Sequence, residues 1–453
     1  MRSEIRDITE NIISQVHKRM ELSKQIGEIK NKLNIDVTDE KVEQDIRKSV
    51  FKLSKEIGMD LDLSVRLLNI LLSESVRLQQ NQQQHHESPR QTHLSIFMRA
   101  KQLEASGKKI IHMEVGEPDY PPPSNVKNAL IKAYDCGQYH YTETQGIPKL
   151  REAIAKKVGN GVTEDQVIVT AGARFAVFSA FNSVLKTGDE VISIEPAWPA
   201  YKECANFIGA KINILKTTLE DRWEPDLKNL EDMINTSTKM IVINYPNNPT
   251  GRILDEKTEE KIVSLAKDHD LYILSDEVYS DYAFNDFKSI LAYNYDKSLM
   301  ISSFSKGYAM TGFRVGYAIA NTGIVANMAK VQAATLTSVA EPMQYSAMAA
   351  LEVGSCQNIK RMKKRLDLIS NRLRKISLQF VEPEGAMYVY PKLKKGIEDD
   401  ITVVQRLLDL GLAIAPGTGF GDSYRHFIRI SACQPEDVLE KGLDILEVAI
   451  FSE

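Results

Sequence analysis

The segment from Ser302 to Tyr317 carries residues that could hold a cofactor with both an aldehyde and a phosphate. It reads SSFSKGYAMTGFRVGY and follows the short run SLMI. Lys306 offers an amine for a Schiff base, and the hydroxyls of Ser303 and Ser305 and the forked guanidinium of Arg314 can bind phosphate oxygens. Pyridoxal phosphate (PLP) is the common molecule with both groups. A lone S-x-S-K match usually marks a surface turn, so other parts of the chain must support this interpretation.

The composition excludes several classes of protein. A chain of 453 residues exceeds one ordinary domain, and a formal charge of −4 gives no bias toward nucleic acid or an acidic membrane. No apolar run is long enough to span a bilayer and the first residues lack a signal-peptide core, so we expect a soluble cytoplasmic protein. The cysteines are far apart and form no metal-ligand pair; they are Cys136, Cys204, Cys356 and Cys433.

Residues 1–88 are predicted to be helical. They contain no proline and only the glycines at 27 and 58. Apolar residues recur at helical spacing from Ile5 to Leu33, and two more helical patterns cover about 39–57 and 63–80. Such helices cannot bury all their apolar faces alone, so an all-α domain that forms an intertwined dimer is expected.

Polar residues on these predicted helices share faces. Arg19 and Lys30 are eleven positions apart, so both side chains could converge on one small anion. Two further pairs stand four positions apart: Asp39 with Glu43, and Ser75 with Gln79. A pocket of this kind would suit a small dicarboxylate that carries an ether and a hydroxyl. The alternative is a set of ordinary solvated charges.

The runs RMELSKQIGEIK from Arg19, KNKLNI after it and SVRLQQ from Ser75 resemble the all-helical chorismate mutase family. The resemblance implies rearrangement of chorismate to prephenate, with cations against two carboxylates and with Lys30 and Gln79 at the ether oxygen. The implied site consists of Arg2, Arg19, Lys30, Asp39, Glu43, Ser75 and Gln79. Val42 stands where the family usually has an arginine, so a domain kept for dimerisation or regulation is the alternative.

A polar stretch, QQNQQQHHESP, separates this region from the rest, and we predict a domain over 1–80 and a linker over 81–90. Beyond it, apolar runs alternate with helical patterns, which predicts a mostly parallel sheet covered on both faces. The predicted strands are 166–170, 190–194, 240–244, 271–274, 299–302 and 315–319. Ligands of such sheets bind at the carboxyl ends of the strands.

Candidate residues follow several of these strands. The motif AGAR at 171–174 opens a helix, so the amides of Ala173 and Arg174 could point at a phosphate. Trp198 could lie on a pyridine ring or simply belong to the core. Asn248, in YPNNPTG, could hydrogen-bond a phenolic oxygen or belong to an ordinary turn.

The strand at 271–274 leads into SDEVY. Asp276 could keep a pyridinium nitrogen protonated, which maintains the ring as an electron sink, or it could cap a helix. Tyr279, three residues later, could reach the oxygen of the same ring.

In order and spacing these motifs resemble the fold type I, PLP-dependent aspartate and aromatic aminotransferase family, over about residues 91–453. The resemblance implies a large α/β domain around the parallel sheet, at about 135–330. It also implies a smaller α+β domain from about 91–134 and 331–453, and active sites at a homodimer interface.

The resemblance also assigns roles. Lys306 becomes the Schiff-base lysine and the base that moves a proton, and Asp276 holds the ring nitrogen. Asn248 and Tyr279 would contact the ring oxygen, and Trp198 would stack on the ring. The implied phosphate ligands are Ser303, Ser305, Arg314 and the amides of Ala173 and Arg174, with Tyr141 from the other subunit. Arg429, in HFIRIS, would clamp the substrate α-carboxylate together with the backbone of Gly116.

The two resemblances predict a bifunctional enzyme. A chorismate mutase would supply prephenate, and a PLP-dependent aminotransferase would act on prephenate, aromatic 2-oxo acids, or aspartate and glutamate. Three alternatives stay open: an aspartate aminotransferase with a vestigial mutase domain, a PLP lyase or decarboxylase, and a regulator that senses chorismate. Arg174 is a candidate for a distal substrate carboxylate by position only. We expect small-molecule substrates and a homodimer, and neither nucleic acid nor membrane as a partner.

Overall fold

The computed structural model describes residues 2–32, 40–84, 93–394, 396 and 399–451, and the chain divides into two compact units, 1–90 and 91–453. The described part of the first unit forms three helices: α1 (Arg2–Lys32), α2 (Glu40–Glu56) and α3 (Leu61–Gln84). The all-α character predicted for this region is therefore confirmed. Helix α3 extends four residues into the predicted linker 81–90, and residues 85–90 lie outside the described part.

Helix α1 packs along α3. Leu68 and Leu72 of α3 are buried, whereas Ile5, Ile8 and Ile12 of α1 are more than half exposed. These three isoleucines are spaced at intervals of three and four, so they form one apolar stripe that a single copy of the unit leaves exposed.

The second unit is built from many helices and strands. Its helices are α4 (His93–Ala105), α5 (Ser124–Asp135), α6 (Pro148–Val158), α7 (Ala173–Val184), α8 (Ala200–Ile208), α9 (Leu227–Met233), α10 (Glu256–Asp268), α11 (Thr322–Thr335), α12 (Glu341–Val353), α13 (Cys356–Lys375), α14 (Asp400–Asp409) and α15 (Glu436–Phe451). Its strands are β1 (Ile111–His112), β2 (Val167–Thr170), β3 (Glu190–Glu195), β4 (Lys211–Lys216), β5 (Thr238–Asn244), β6 (Tyr272–Asp276), β7 (Ser298–Ser303), β8 (Gly316–Ile319), β9 (Tyr388–Val389), β10 (Leu412–Ala413), β11 (Ala415–Pro416) and β12 (Ile428–Ser431).

The main sheet has seven strands in the order β2-β8-β7-β6-β5-β3-β4. All are parallel except β8, which runs antiparallel to β2 and β7. The predicted mostly parallel sheet is confirmed. Strand β4 was not predicted. It lies at the sheet edge, and all its side chains except that of Leu215 are exposed or only partly buried, so it lacks the continuous apolar run of a central strand.

Helices cover both faces of this sheet. Successive residues of β2 alternate between two apolar cores: Val167 and Val169 contribute to one, and Ile168 to the other. Leu150 of α6 and Ile262 of α10 pack into the first core. This burial on both faces explains why the central strands read as nearly unbroken apolar runs.

The smaller domain has a core of its own. A parallel pair, β1-β10, and an antiparallel sheet, β11-β12-β9, are packed with α4, α13, α14 and α15. Helices α5 and α12 belong elsewhere, because Val126, Ala347 and Ala350 pack into the core of the main sheet. Along the chain, the residues therefore change from one core to the other near 114–125 and again near 352–358. The predicted limits of the smaller domain, about 91–134 and 331–453, stay a prediction.

Among the residues that the structure describes, every helix is too short or too polar to cross a membrane.

Candidate active site

A cavity of about 240 Å³ lies where the neighbouring parallel strands β5, β6 and β7 end. It is lined by Val115, Gly116, Ala173, Arg174, Trp198, Tyr201, Asn244, Asn248, Asp276, Val278, Tyr279, Ser303, Ser305, Lys306, Thr311, Arg314, Tyr388 and Arg429. This set includes every residue predicted for the aminotransferase site except Tyr141. Tyr141 is 86% exposed, and its predicted role toward another subunit stays a prediction.

One end of the cavity has groups that suit a phosphate. Helix α7 begins at Ala173 after Gly172, which provides no side-chain cap, so the first amides of the helix are available to an anion bound in the cavity. The hydroxyls of Ser303 and Ser305 lie 2.8 Å apart at the end of β7. Gly172 has φ of 80°, and a Cβ there would contact the guanidinium of Arg314. The start of α7, the two serine hydroxyls and the Arg314 guanidinium therefore line the same end of the cavity. A side chain in place of Gly172 would collide with Arg314 there.

Lys306 lies beyond these serines, and several contacts hold its backbone. Tyr282 donates a hydrogen bond to the Lys306 carbonyl oxygen at 2.8 Å, and Asn358 donates to the carbonyl of Gly307 at 3.0 Å. The Lys306 amine donates to the carbonyl oxygen of Gly116. Burial lowers the pKa of Lys306, which favours a neutral, nucleophilic amine.

Asp276 ends β6 and is almost completely buried. Its Oδ2 accepts a hydrogen bond from Tyr201 at 2.7 Å, and its Oδ1 accepts one from the Val278 amide at 3.3 Å. Burial raises the pKa of Asp276 to about 6, and the bond from Tyr201 opposes this rise. A buried carboxylate of this kind suits a cationic partner such as a pyridinium nitrogen.

Tyr201 was not predicted. It lies on α8, three residues after Trp198, and the two rings are in edge contact with centroids 5.5 Å apart. Trp198 precedes the first turn of α8, which carries Tyr201, so no helical spacing links the two residues and no local motif pointed to Tyr201.

Asn248 is fixed by a chain of hydrogen bonds. Its amide donates to Asn244 Oδ1 at 3.0 Å, and Asn244 Nδ2 donates to the Asp276 carbonyl oxygen at 2.8 Å. Its own Oδ1 accepts a bond from Arg429 at 2.9 Å. Asn244 was also not predicted, and it ties the turn after β5 to the end of β6.

Arg429 lies on β12 and is 1% exposed. Besides Asn248, it donates to the carbonyl oxygen of Glu114. Its guanidinium carbon is 4.3 Å from the ring centroid of Tyr388 and 4.8 Å from that of Phe420. Its buried Nε has no hydrogen-bond partner among the described residues, which leaves a donor for a bound anion.

Arg174 and Trp198 also line the cavity, where their side chains contact each other. The guanidinium carbon of Arg174 is 4.6 Å from the Trp198 ring, and Arg174 donates to Glu203 at 2.9 Å. About half of the Arg174 side chain is exposed. This arginine can therefore exchange its carboxylate partner for another at modest cost.

The helical unit brings together part of the predicted mutase site. Arg19 donates to the Leu71 carbonyl oxygen at 2.6 Å and to the hydroxyl of Ser75. Ser23, which was not predicted, donates to the same hydroxyl at 3.0 Å. Gln79 is buried, and its Oε1 has no hydrogen-bond partner within the described part of the chain.

The other predicted mutase residues are less defined. Lys30 is partly buried near the end of α1. Asp39 lies outside the described residues, as do the side chains of Arg2 and Glu43. Val42 is 52% exposed.

The cavity of the larger unit fits PLP by the chemistry of its donors. A helix end with hydroxyls and Arg314 matches a phosphate, the Lys306 amine matches an aldehyde, and buried Asp276 matches a pyridinium. The aldehyde and phosphate partners were expected from the sequence, and the structure brings them into one cavity.

Comparison with known proteins identifies a family for each of the two units of the chain. Residues 108–446 match the family model for aminotransferase class I and II, and residues 1–80 match chorismate mutase type II. The chain is 36% identical over 369 residues to the aspartate aminotransferase of Thermotoga maritima, covering 80% of this chain and 97% of that protein. It is 32% identical over 365 residues to the aspartate/prephenate aminotransferase of Thermus thermophilus, covering 78% of this chain and 94% of that protein.

A solved structure gives the same answer for the fold. Aspartate aminotransferase from Thermus thermophilus with maleate superposes with a TM-score of 0.76 at 31% identity, covering 79% of this chain and 96% of that one. The predicted fold type I architecture and both family resemblances are thus confirmed. The chain belongs to the class I and II aminotransferase family, whose members depend on PLP, and it carries a chorismate mutase type II domain before the aminotransferase.

Proposed function

We propose that this chain is a bifunctional enzyme that converts chorismate to prephenate and then transaminates prephenate or an aromatic 2-oxo acid, with aspartate or glutamate as donor. The observation that carries the proposal is the convergence of Lys306, Asp276 and Arg429 with a phosphate cradle in one cavity. A match to chorismate mutase over residues 1–80 supports the first activity.

In the aminotransferase, PLP would supply a carbonyl that accepts the amino group and a ring that withdraws electrons. Ser303, Ser305 and Arg314 would hold its phosphate with the amides at the start of α7. Asp276 would keep its ring nitrogen protonated, and Trp198 would pack on its ring. Asn248 and Tyr279 would face its ring oxygen.

Lys306 would then carry the proton. Because burial lowers the pKa of this amine, Nζ can accept the proton that leaves the substrate Cα and then donate it to the cofactor carbon. Arg429 would hold the substrate α-carboxylate through two parallel hydrogen bonds. One of them would come from Nε, which has no hydrogen-bond partner among the described residues. This placement fixes the Cα near the base.

Substrates with a second carboxylate are favoured by Arg174. The cavity has four cationic side chains: Lys306, Arg314, Arg429 and Arg174. The proposed roles use the first three, so Arg174 is the cation left for a distal carboxylate. Aspartate, glutamate and prephenate all carry one. The relatives from Thermotoga maritima and Thermus thermophilus are named as aspartate and aspartate/prephenate aminotransferases, and these names agree with substrates that carry two carboxylates.

In the mutase, Arg19 and Ser75 would bind a carboxylate of chorismate, and Lys30 with Gln79 would stabilise charge at the ether oxygen. The exposed stripe of Ile5, Ile8 and Ile12 supports a homodimer in which a second helical unit covers it. In a homodimer formed by the aminotransferase unit, the exposed Tyr141 would reach the site of the other subunit.

Two reciprocal variants of the full chain test the two activities. Lys306→Ala should abolish transamination and the visible absorption of bound PLP while chorismate turnover stays at the level of the unmodified protein. Arg19→Ala should lower chorismate turnover about 100-fold, because it removes a charged hydrogen bond to the proposed substrate carboxylate in the mutase site. It should leave transamination unchanged. Transamination that survives Lys306→Ala would contradict the proposal.

The choice of substrate is tested separately. With prephenate and oxaloacetate compared as acceptors, Arg174→Met should raise KM about tenfold for each dicarboxylate and leave KM for a monocarboxylic 2-oxo acid unchanged. An equal effect on both classes would remove Arg174 from the role. If no 2-oxo acid restores the absorption of PLP after the protein has reacted with an amino acid, the lyase alternative is favoured.

Regulation by chorismate is the second candidate function for the helical unit. The exposed Val42, where the family usually has arginine, favours it. In this case the full chain should not consume chorismate, and chorismate should change the rate of transamination.

A further inference from the structure

Tyr388 lines the cavity together with Tyr279 and Arg429. It is 2% exposed on β9, and the register places it opposite Ser431 of β12, the strand that also carries Arg429. Its hydroxyl oxygen is 2.8 Å from that of Tyr279. Tyr388 was not predicted as a site residue.

The surroundings of the Tyr388 ring fix its position. One face meets the guanidinium of Arg429 at 4.3 Å, and the edge meets the ring of Tyr279 with centroids 5.6 Å apart. A Cβ on Gly116 would overlap the Tyr388 hydroxyl, so that hydroxyl rests against the backbone of Gly116. The carbonyl of Gly116 in turn accepts the Lys306 amine. Tyr388 therefore has little freedom to point its hydroxyl elsewhere.

Either tyrosine hydroxyl could donate the hydrogen bond that joins Tyr279 and Tyr388. Each phenol has a single proton. Among the described residues, the hydroxyl of Tyr388 has one hydrogen-bond partner, Tyr279. Tyr388 is likewise the one partner of the Tyr279 hydroxyl among those residues, so an acceptor inside the cavity decides which hydroxyl donates. With the ring oxygen of PLP as the acceptor of the Tyr279 proton, Tyr388 must be the donor to Tyr279.

We propose that Tyr388 is a positioning residue that directs the proton of Tyr279 toward the ring oxygen of PLP, an inference that rests on the proposed PLP site. The two phenols form a chain in which each hydrogen bond strengthens the next. This chain favours the ionised form of the ring oxygen, because a donor that is itself polarised stabilises negative charge better.

The test is a pH titration of the visible absorption of the PLP-loaded protein. Tyr388→Phe removes one hydroxyl and keeps the ring against Arg429. It should move the titration midpoint upward by roughly half a pH unit, since the ionised ring oxygen loses part of its support. KM for the amino acid should change less than twofold, because Arg429 keeps its packing.

A matched control is Tyr390→Phe. Tyr390 is equally buried and its hydroxyl donates to the Gly417 carbonyl oxygen at 3.0 Å, outside the cavity. This variant should titrate like the unmodified protein. An unchanged midpoint in Tyr388→Phe, or an equal shift in both variants, would overturn the assignment. Absence of a visible band from the unmodified protein with PLP would instead overturn the proposed function, and the role of Tyr388 with it.

Discussion

Replacement of Asp276 by asparagine should stabilise the cofactor-free protein at alkaline pH. Burial raises the pKa of this carboxyl from 3.8 to about 6, so the folded chain binds the proton more tightly than the unfolded chain does. The carboxylate therefore destabilises the fold. This cost is fully present above about pH 6 and disappears as the pH falls below about 4. A shift of about two units corresponds to about 3 kcal/mol.

Asparagine would not recover the whole amount. Its one oxygen can accept the bond from Tyr201, but the Val278 amide, now 3.3 Å from Asp276 Oδ1, would lose its acceptor. An unpaired buried donor costs about 1 kcal/mol. We therefore expect Asp276→Asn to gain about 2 kcal/mol at pH 8 and no more than about half of this at pH 5.

Urea denaturation followed by tryptophan fluorescence measures this difference. Both tryptophans, Trp198 and Trp223, lie in the larger unit, so the helical unit does not contribute to the signal. The exposed Asp135→Asn on α5 is a control that should change the midpoint at neither pH. Addition of PLP should reverse the order, because its ring nitrogen would pair with the carboxylate of the unmodified protein. A gain that is absent at pH 8, or equal at both pH values, would refute the reasoning.

Three further predictions concern other contacts. Tyr201→Phe removes the hydrogen bond that holds down the pKa of Asp276, so PLP affinity should begin to fall at a higher pH than in the unmodified protein, as titrations from pH 8 to 5 would measure. Gly172→Val should weaken PLP binding at least tenfold with unchanged circular dichroism, since φ is 80° and the new side chain would meet Arg314. Gly27→Val should reduce chorismate turnover and leave transamination intact, because an added Cβ would lie 3.0 Å from the backbone of α3.

Much of the aminotransferase site could be predicted because of how parallel sheets are built. Asn248, Asp276 and Ser303 follow or end three strands that are neighbours in the sheet, and the carboxyl ends of such strands meet at one edge. Local motifs were thus enough to collect residues that are far apart in the sequence. The apolar runs of these strands marked the edge clearly, since they are buried on both faces.

The residues that sequence reasoning missed are mostly partners of the predicted ones. Tyr201, Asn244 and Tyr388 act through hydrogen bonds to groups on other elements, and no local motif specifies such bonds. Ser23 is similar, because its bond to Ser75 depends on how α1 packs along α3.

The charges of the cavity connect substrate binding to the proton transfer. Burial lowers the pKa of Lys306, and the nearby cations Arg429 and Arg314 lower it further. An anion that binds to either arginine offsets this second effect. A phosphate at Arg314 and a substrate carboxylate at Arg429 would therefore raise the proton affinity of a free Lys306 amine. The lowered pKa of Lys306 favours the neutral, nucleophilic form of the amine until both anions are in place. The amine then becomes a stronger base at the point where the proton must leave the substrate Cα.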